Sequence, residues 1–322
     1  MRGKARWLRW LAISATLLMF LTMLAGSLVT KTGSALGCGN DWPLCNGKWV
    51  PAYTLESLLE YTHRLITGLA GCVVVCFSLA AWRSYRGDAE VRALAIIGLF
   101  FTGLESLLGA SAVLWPQSSP VLALHFGFSL LAFSGVLLLA LLVLRGKSEE
   151  RQIQQPVSLR FRYLVWGVTS FAYGVIYLGA YVRHTDSSLG CPDWPLCRGQ
   201  LIPDLGGQAG IPFLHRLAAA VLLVLLLAVF RHAYRAYREV RRDIYRVSLL
   251  SVVLMILQVL SGGLVVWFRL HLYATLLHSA ILACLFGALS YLCLRTLKEP
   301  KSAPWKREGR EFAQRVAPLT KM

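Results

Sequence analysis

The chain has 322 residues, of which 56% are hydrophobic and only 15% are charged, and its mean hydropathy is +0.57. Globular domains carry about 25% charged residues, so this composition excludes an ordinary soluble protein. The net charge of +17 is concentrated in short segments between apolar runs, which favours a topology signal over a nucleic-acid-binding role.

Eight apolar runs follow one another along the chain, and each is long enough to cross about 30 Å of hydrocarbon as a helix. In chain order they cover residues 8–30, 62–82, 93–114, 121–144, 162–182, 213–231, 246–268 and 272–295. They lack the alternation of apolar and polar residues that marks the strands of membrane barrels. The predicted fold is an all-α polytopic membrane protein with eight transmembrane helices.

Lysine and arginine residues cluster before the first run, in every second connection, and after the eighth run. Basic loops stay in the cytoplasm, so both termini are predicted to be cytoplasmic and the alternate loops extracytoplasmic. The first run also resembles a cleavable secretory signal ending in "LAGS". Because "LAGSLVTKTGSALGC" at 24–38 matches "YLGAYVRHTDSSLGC" at 177–191, we expect a retained helix instead.

The second half of the chain repeats the first. The loop "LGCGNDWPLCNG" at 36–47 returns as "LGCPDWPLCRG" at 189–199. The matched residues are Cys38 with Cys191, Cys45 with Cys197, His63 with His215, Gly109 with Gly262 and His125 with His278. This repeat predicts two tandem four-helix bundles that are related by a pseudo-twofold axis along the membrane normal. We expect an N-terminal half over 1–145, a cytoplasmic linker over 146–161, a C-terminal half over 162–296 and a basic cytoplasmic tail over 297–322.

The loop cysteines lie on the predicted outer side, where disulfides persist. The spacings predict the bonds Cys38–Cys45 and Cys191–Cys197. These bonds are either structural or redox-active, and the absence of a C-x-x-C spacing favours the structural interpretation. The remaining cysteines lie within helices and are predicted to be small apolar packing residues; they are Cys72, Cys76, Cys284 and Cys293.

Four of the seven histidines form two matched pairs, His63 with His125 and His215 with His278. A single histidine in a membrane helix is most often a hydrogen-bonded packing residue, but ionisable residues at duplicated depths indicate function. Two neutral imidazoles that face each other in a four-helix bundle can fill both axial positions of a heme iron. The sequence therefore predicts one heme in each half. The unmatched histidines are predicted to be surface residues; they are His184, His232 and His271.

The charged residues next to these histidines each have two possible roles. Arg64 and Arg216 directly follow a paired histidine, and either contact heme propionates or extend to the membrane interface. Glu60 lies one helical turn before His63, where it is either an acid or base above the iron or a partner of the helix dipole. The matched residue in the second half is Pro212. Glu105 is a weaker candidate that could simply hydrogen-bond to a neighbouring helix.

These motifs resemble the heme A synthase family over residues 10–295. The resemblance rests on the two "DWPLC" loops, E-x-x-H-R at 60–64, "LHFG" around His125, "FLHR" at 213–216 and "LLHS" around His278. It implies oxidation of the C8 methyl group of heme O to a formyl group, which gives heme A for terminal oxidases. It further implies that His63 and His125 bind the substrate heme O, that His215 and His278 hold heme B, and that Glu60 is catalytic. The family's two disulfides would match the four loop cysteines.

The resemblance also implies a multi-pass protein of the bacterial plasma membrane, surrounded by lipid, that receives heme O from a heme O synthase. The electron donor is not identified by any flavin, nicotinamide or iron–sulfur motif in the sequence. The main alternative is a non-catalytic, quinol-linked di-heme b electron carrier. A carrier would have two equivalent halves, whereas here the matched position holds Glu60 in one half and Pro212 in the other. A membrane disulfide oxidoreductase would use the cysteine loops and leave the paired histidines unexplained.

Overall fold

The computed structural model describes residues 2–115, 117–145 and 155–298. These residues form eight α-helices and one short 3-10 turn, Gly207–Ala209. The helices are α1 (Arg2–Lys31), α2 (Leu55–Ser84), α3 (Ala89–Leu114), α4 (Ser119–Arg145), α5 (Leu159–His184), α6 (Gly210–Tyr237), α7 (Arg242–Trp267) and α8 (Leu272–Thr296). Each is long and apolar enough to span a membrane, so the predicted all-helical, multi-pass fold is confirmed.

Side-chain caps set the start of several helices. Asp88 accepts hydrogen bonds from the first backbone N–H groups of α3, and Thr54 and Ser158 do the same for α2 and α5. Helix α2 begins at Leu55, well before the apolar run predicted from residue 62. Glu60 lies before that predicted run and His63 lies within it. Both therefore lie inside one helix, which fixes their relative orientation.

The helices pack as two rings of four neighbours. Helix α1 contacts α2 and α4, and α3 contacts α2 and α4; α5, α6, α7 and α8 form the corresponding contacts. Helix α4 also contacts α5 and α8, and it is the most buried of the eight. Its apolar residues on all faces suit this central position. The predicted symmetry axis and half boundaries stay predictions, and most of the predicted linker and tail (146–154 and 299–322) lies outside the described residues.

The ends of α6, α7 and α8 meet at a buried ion cluster. Asp243 forms ion pairs with Arg241 (3.1 Å, Nε to Oδ1) and Arg295 (2.6 Å, Nε to Oδ2). Arg241 is only 1% exposed and also donates a hydrogen bond to the Arg295 carbonyl. In the first half, Glu90 occupies the position of Asp243 and pairs with Lys298. The cluster thus ties three helices of the C-terminal half together at the predicted cytoplasmic end.

The two cysteine loops connect α1 to α2 and α5 to α6. The sulfur atoms of Cys38 and Cys45 are 2.02 Å apart and those of Cys191 and Cys197 are 1.95 Å apart, so the pairing is the one that the sequence predicts. In each loop the Trp-Pro peptide bond is cis and the second cysteine is followed by a tight turn. Gly47 and Gly199 close these turns with φ values of 72° and 73°, a conformation that glycine adopts without strain.

Two groups of sequence predictions need correction. Cys72, Cys76 and Cys284 are exposed on the outer faces of α2 and α8, so their assignment as packing residues is wrong, while Cys293 is buried as expected. Lipid tails are as apolar as a protein interior, so an apolar thiol on a membrane-spanning helix need not pack against a neighbouring helix. His184 is partly buried at the end of α5 rather than on the surface, and its carbonyl accepts a hydrogen bond from Ser119 at the start of α4. The exposed positions of His232 and His271 are confirmed.

Candidate functional site

Each paired histidine packs its imidazole against a glycine of the preceding helix. The distance from the position that a glycine Cβ would occupy to the nearest ring atom, Cε1, measures how close this approach is. It is 3.3 Å for Gly26 and His63, 3.7 Å for Gly109 and His125, 2.7 Å for Gly179 and His215, and 3.3 Å for Gly262 and His278. Any larger side chain at the tightest of these positions would displace the ring, so the glycines fix where the imidazoles lie.

The contact recurs at matched positions in the two halves. Gly26 and Gly179 are 153 residues apart, as are Gly109 and Gly262. The second pair is also a landmark of the internal repeat. The first pair stands in the aligned segments "LAGS" and "YLGA" and could have been found there, but an internal alignment does not reveal that a glycine meets a histidine of another helix.

The structure brings each predicted histidine pair together. His63 and His125 are close enough to interact electrostatically, and so are His215 and His278. His184, at the end of α5, is also within that range of His125. Among the described residues, none forms a hydrogen bond to a ring nitrogen of His63 or His125, and Nδ1 of both is buried. Because no described residue uses a ring nitrogen of these histidines, each neutral ring has a lone pair free for a ligand.

The chemistry of the donor set indicates what that ligand is. The described residues contain no group of three or more histidine, cysteine, aspartate or glutamate side chains that could hold a metal ion. A bare ion would therefore lack most of its coordination sphere. Two imidazoles are sufficient when a porphyrin supplies the other four ligands, so the pairs fit heme iron.

Glu60 is buried, with 3% of its surface exposed, and both of its carboxylate oxygens have partners. Oε2 accepts a hydrogen bond from the backbone N–H of Cys38 (2.8 Å), and Oε1 accepts one from Nη2 of Arg64 (2.5 Å). The helix-dipole interpretation does not explain this position, because the acidic residue in the first turn of α2 is Glu56. Glu60 therefore joins the cysteine loop to the histidine-bearing helix one turn from His63.

Arg64 and Arg216 bind backbone carbonyls of the cysteine loops, a role that the sequence analysis missed. Nη1 of Arg64 donates to the carbonyls of Asp41 (2.8 Å) and Leu44 (2.7 Å). Nη1 of Arg216 donates to the matched carbonyls, and its Nη2 donates to the carbonyl of Cys191 (2.8 Å). The arginines thus hold each disulfide loop above the neighbouring histidine. Nε of Arg64 is buried without a partner, and the propionate contacts stay a prediction.

A second difference between the halves lies deeper along α3 and α7. Glu105 accepts a hydrogen bond from Ser129 on α4 (2.7 Å, Oγ to Oε1), the contact with a neighbouring helix that the sequence analysis allowed for. Its counterpart Gln258 instead contacts His278, with 3.0 Å between Nε2 of the amide and Nε2 of the ring. Ser261 contacts the other ring nitrogen of His278, with 2.9 Å between Oγ and Nδ1. Sequence reasoning missed both contacts to His278.

Comparison with known proteins identifies the family of this chain. The COX15-CtaA family, described as cytochrome oxidase assembly protein, matches residues 9–290. A heme A synthase of Geobacillus kaustophilus is 43% identical over 98% of this chain and 99% of its own length. Heme A synthases of Geobacillus thermodenitrificans and Bacillus licheniformis are each 40% identical, over 92% and 89% of this chain and 95% of their own lengths.

These relatives match the chain almost from end to end, and the family match over residues 9–290 spans the segments that contain both histidine pairs and both cysteine loops. A similarity of this extent reflects a shared fold and common descent, not a single shared motif. The chain therefore belongs to the COX15-CtaA family of cytochrome oxidase assembly proteins, the family of the heme A synthases.

Proposed function

We propose that this chain is a heme A synthase, which oxidises the C8 methyl group of heme O to a formyl group in its N-terminal half. Relatives with that name at 40–43% identity support the activity. The observation that carries the assignment of the half is the buried carboxylate of Glu60, one helical turn from His63. The matched residue in the C-terminal half, Pro212, has no ionisable group.

In this proposal the iron of the substrate heme O is bound by His63 and His125. Their ring nitrogens have no hydrogen-bond partner among the described residues, and Gly26 and Gly109 give the rings space at the helix contacts. Heme O carries a long apolar tail, which explains why a site for it lies between membrane helices. Arg64, whose Nε is unpaired, is the residue that we expect to contact a propionate.

The second pair, His215 and His278, would hold heme B. The fit rests on the same glycine contacts, at Gly179 and Gly262, and on rings that lie close together. Heme B bound there would supply one-electron redox chemistry between the membrane and the N-terminal half. Among the described residues of this half, the position that matches Glu60 holds Pro212 and no carboxylate, so their role is to bind and orient the cofactor and not to move substrate protons.

Glu60 would accept a proton during oxidation of the substrate. With water as the source of the formyl oxygen, R–CH3 and H2O give R–CHO, four protons and four electrons. The electrons pass to an acceptor in the membrane, and the protons must leave a site that is buried among helices. The ion pair with Arg64 keeps the carboxylate next to the His63 turn, and each carboxylate oxygen retains a second lone pair for a proton. A positioned base of this kind typically contributes about 10²–10⁴-fold to the rate.

The remaining parts of the proposal concern location and partners. Both termini are cytoplasmic and the cysteine loops extracytoplasmic, as the distribution of basic residues indicates. The disulfides are structural: each holds a loop whose carbonyls bind Arg64 or Arg216. Heme O arrives through the membrane from a heme O synthase, and a separate membrane donor or acceptor exchanges electrons with the protein.

The test is to replace Glu60 by Gln in the full-length protein and to identify the hemes that form in a heme O-producing host. We expect the variant to accumulate heme O or a partly oxidised heme at unchanged protein level, while heme B stays bound. The matched control is Ser57→Ala, because Ser57 also anchors the loop from α2, through a hydrogen bond to the Gly37 carbonyl (2.5 Å), but has no carboxylate.

A Glu60→Gln variant that makes as much heme A as Ser57→Ala would show that Glu60 only anchors the loop. The pigments of the unmodified protein distinguish the alternatives. Heme A or heme O beside heme B supports the synthase, whereas heme B alone in both halves supports the electron carrier.

A further inference from the structure

The hydrogen bonds around His278 fix which nitrogen of its ring carries the proton. The amide nitrogen of Gln258 can only donate, so Nε2 of His278 accepts from it and the ring proton lies on Nδ1. Ser261 completes the arrangement, because its hydroxyl donates to the carbonyl of Gln258 (3.0 Å) and its oxygen is then left to accept from Nδ1–H. Nε2 therefore carries the lone pair of the ring, which the Gln258 amide occupies in this structure, so iron would bind there in place of that amide.

The substrate half has no equivalent of this hydroxyl. The residue 153 positions before Ser261 is Leu108, which has no polar side-chain atom and directly precedes Gly109, the glycine that contacts His125. Nδ1 of His125 and Nδ1 of His63 are both buried without a partner. Nδ1 of His215 forms no hydrogen bond either, although the carbonyl of Val175 lies close to that ring. His278 is thus the one paired histidine whose Nδ1 is held by a described side chain.

A hydrogen bond from the second nitrogen of a metal-bound imidazole fixes the orientation of the ring and strengthens its donation to the metal. Loss of such a bond typically lowers metal affinity about 10- to 100-fold. A cofactor must stay bound through many turnovers, whereas a substrate and its product must bind and leave in each one. The two halves therefore need ligands of different strength, and Ser261 and Leu108 provide that difference.

We propose that Ser261 is a positioning residue that holds His278 for permanent heme coordination, and that leucine at position 108 leaves His125 unanchored so that heme exchanges in the N-terminal half. This inference rests on the proposed function, since it assigns cofactor and substrate to the two halves as that function requires. It adds a residue on α7 that controls residence time through the ligand, without touching the reacting carbon.

The first experiment measures heme release from the full-length protein loaded with heme B, using excess apomyoglobin as the acceptor. Ser261→Ala is expected to release heme from the C-terminal half about 10- to 100-fold faster and to raise its midpoint potential, because the weaker donor stabilises ferric iron less. Ser251→Ala is the matched control: it removes another buried hydroxyl of α7, whose bond to the Val247 carbonyl stays within the helix. Ser261→Thr keeps the hydroxyl and should retain slow release.

A Ser261→Ala protein with the release rate and midpoint potential of Ser251→Ala would overturn the proposal. The reciprocal variant Leu108→Ser tests it independently of whether Ser261→Ala folds. It should slow heme release from the N-terminal half, whereas Leu107→Ser, at an outward-facing neighbour that is 71% exposed, should not. Equal release from the two leucine variants would also contradict the proposal.

Heme release needs no turnover, so its outcome is separate from that of the proposed function. If heme A forms but Ser261→Ala releases heme at the normal rate, the positioning role is wrong and the synthase assignment stands. If no heme A forms but Ser261→Ala releases heme faster, the synthase assignment is wrong and the positioning role stands.

Discussion

The two halves of this protein share a histidine framework and differ in the residues that surround it. In both halves a glycine of the preceding helix meets each histidine, and an arginine after the outer histidine holds the disulfide loop. The N-terminal half adds the buried carboxylate of Glu60, while the C-terminal half adds Ser261 and Gln258 around His278. Duplication therefore preserved the geometry that binds heme, and the added side chains can give each half its own chemistry.

The ion cluster at Asp243 offers the largest effect on stability. Replacing Asp243 by Ala leaves Arg241 buried beside a second cation, Arg295, and removal of one partner from a buried pair costs about 3–5 kcal/mol. Glu90→Ala, the matched change in the first half, removes a more exposed pair with Lys298 and should cost less. Thermal unfolding in detergent measures both. Equal losses would mean that the two halves depend equally on their cytoplasmic ends.

The disulfides test whether the loops have the same role in both halves. Cys38→Ser and Cys191→Ser should each destabilise the protein by about 2–4 kcal/mol. Without the disulfide the unfolded chain is no longer held in a closed loop, so it gains conformational entropy relative to the folded state. Heme retention should fall with stability, and residual activity should follow the amount of folded protein. Full stability together with complete loss of turnover in Cys38→Ser would replace the structural role by a redox role.

Glycine substitutions test the shared framework in graded steps. Gly179→Ala places a methyl group 2.7 Å from the His215 ring, so the ring must shift and heme B occupancy should fall. Overpacking of this kind typically costs about 1–3 kcal/mol. Gly109→Ala, at 3.7 Å from His125, should be tolerated. The control is Gly174→Ala, on the same helix as Gly179 but with open space around it. Heme content per protein, from the absorbance spectrum, reports each result.

The smallest expected effect is on how the stability of each cysteine loop depends on pH. Backbone N–H groups of Gly199 (2.7 Å) and Arg198 bind the Asp193 carboxylate and lower its pKa below the usual value. A lowered pKa stabilises the fold above the unfolded value of about 4, and this stabilisation is lost as the pH falls through the lower folded value. Asp193→Asn should remove that acid sensitivity, seen as a flatter dependence of melting temperature on pH. Asp41→Asn, at the matched position, should not.

The sequence predicted most of the framework because its signals are local or repeated. Apolar runs give the helices, and the repeat gives the histidine pairs and the cysteine pairs. The contacts that the sequence did not reveal are between helices: Ser261 is 17 residues before His278, and Gly26 is 37 residues before His63. No spacing rule predicts that such residues meet. The contacts of Arg64 and Arg216 with the loops could not be predicted for the same reason. Their partners are backbone carbonyls, which every residue has and which therefore leave no signal in the sequence.

The outward-facing cysteines mark a different limit. Composition shows that a helix is apolar enough for a membrane, but it does not separate the face that meets lipid from the face that meets protein. Cys72 and Cys284 could therefore not be distinguished from Cys293 before the helices were packed.

The central claim is that the histidine pairs have different occupants, and one measurement tests it directly: identification of the hemes bound to His125→Ala and to His278→Ala, purified from the same heme O-producing host. We predict that His125→Ala keeps heme B and contains neither heme O nor heme A, and that His278→Ala is depleted of heme B. Identical heme profiles in the two variants would contradict the division into a substrate half and a cofactor half.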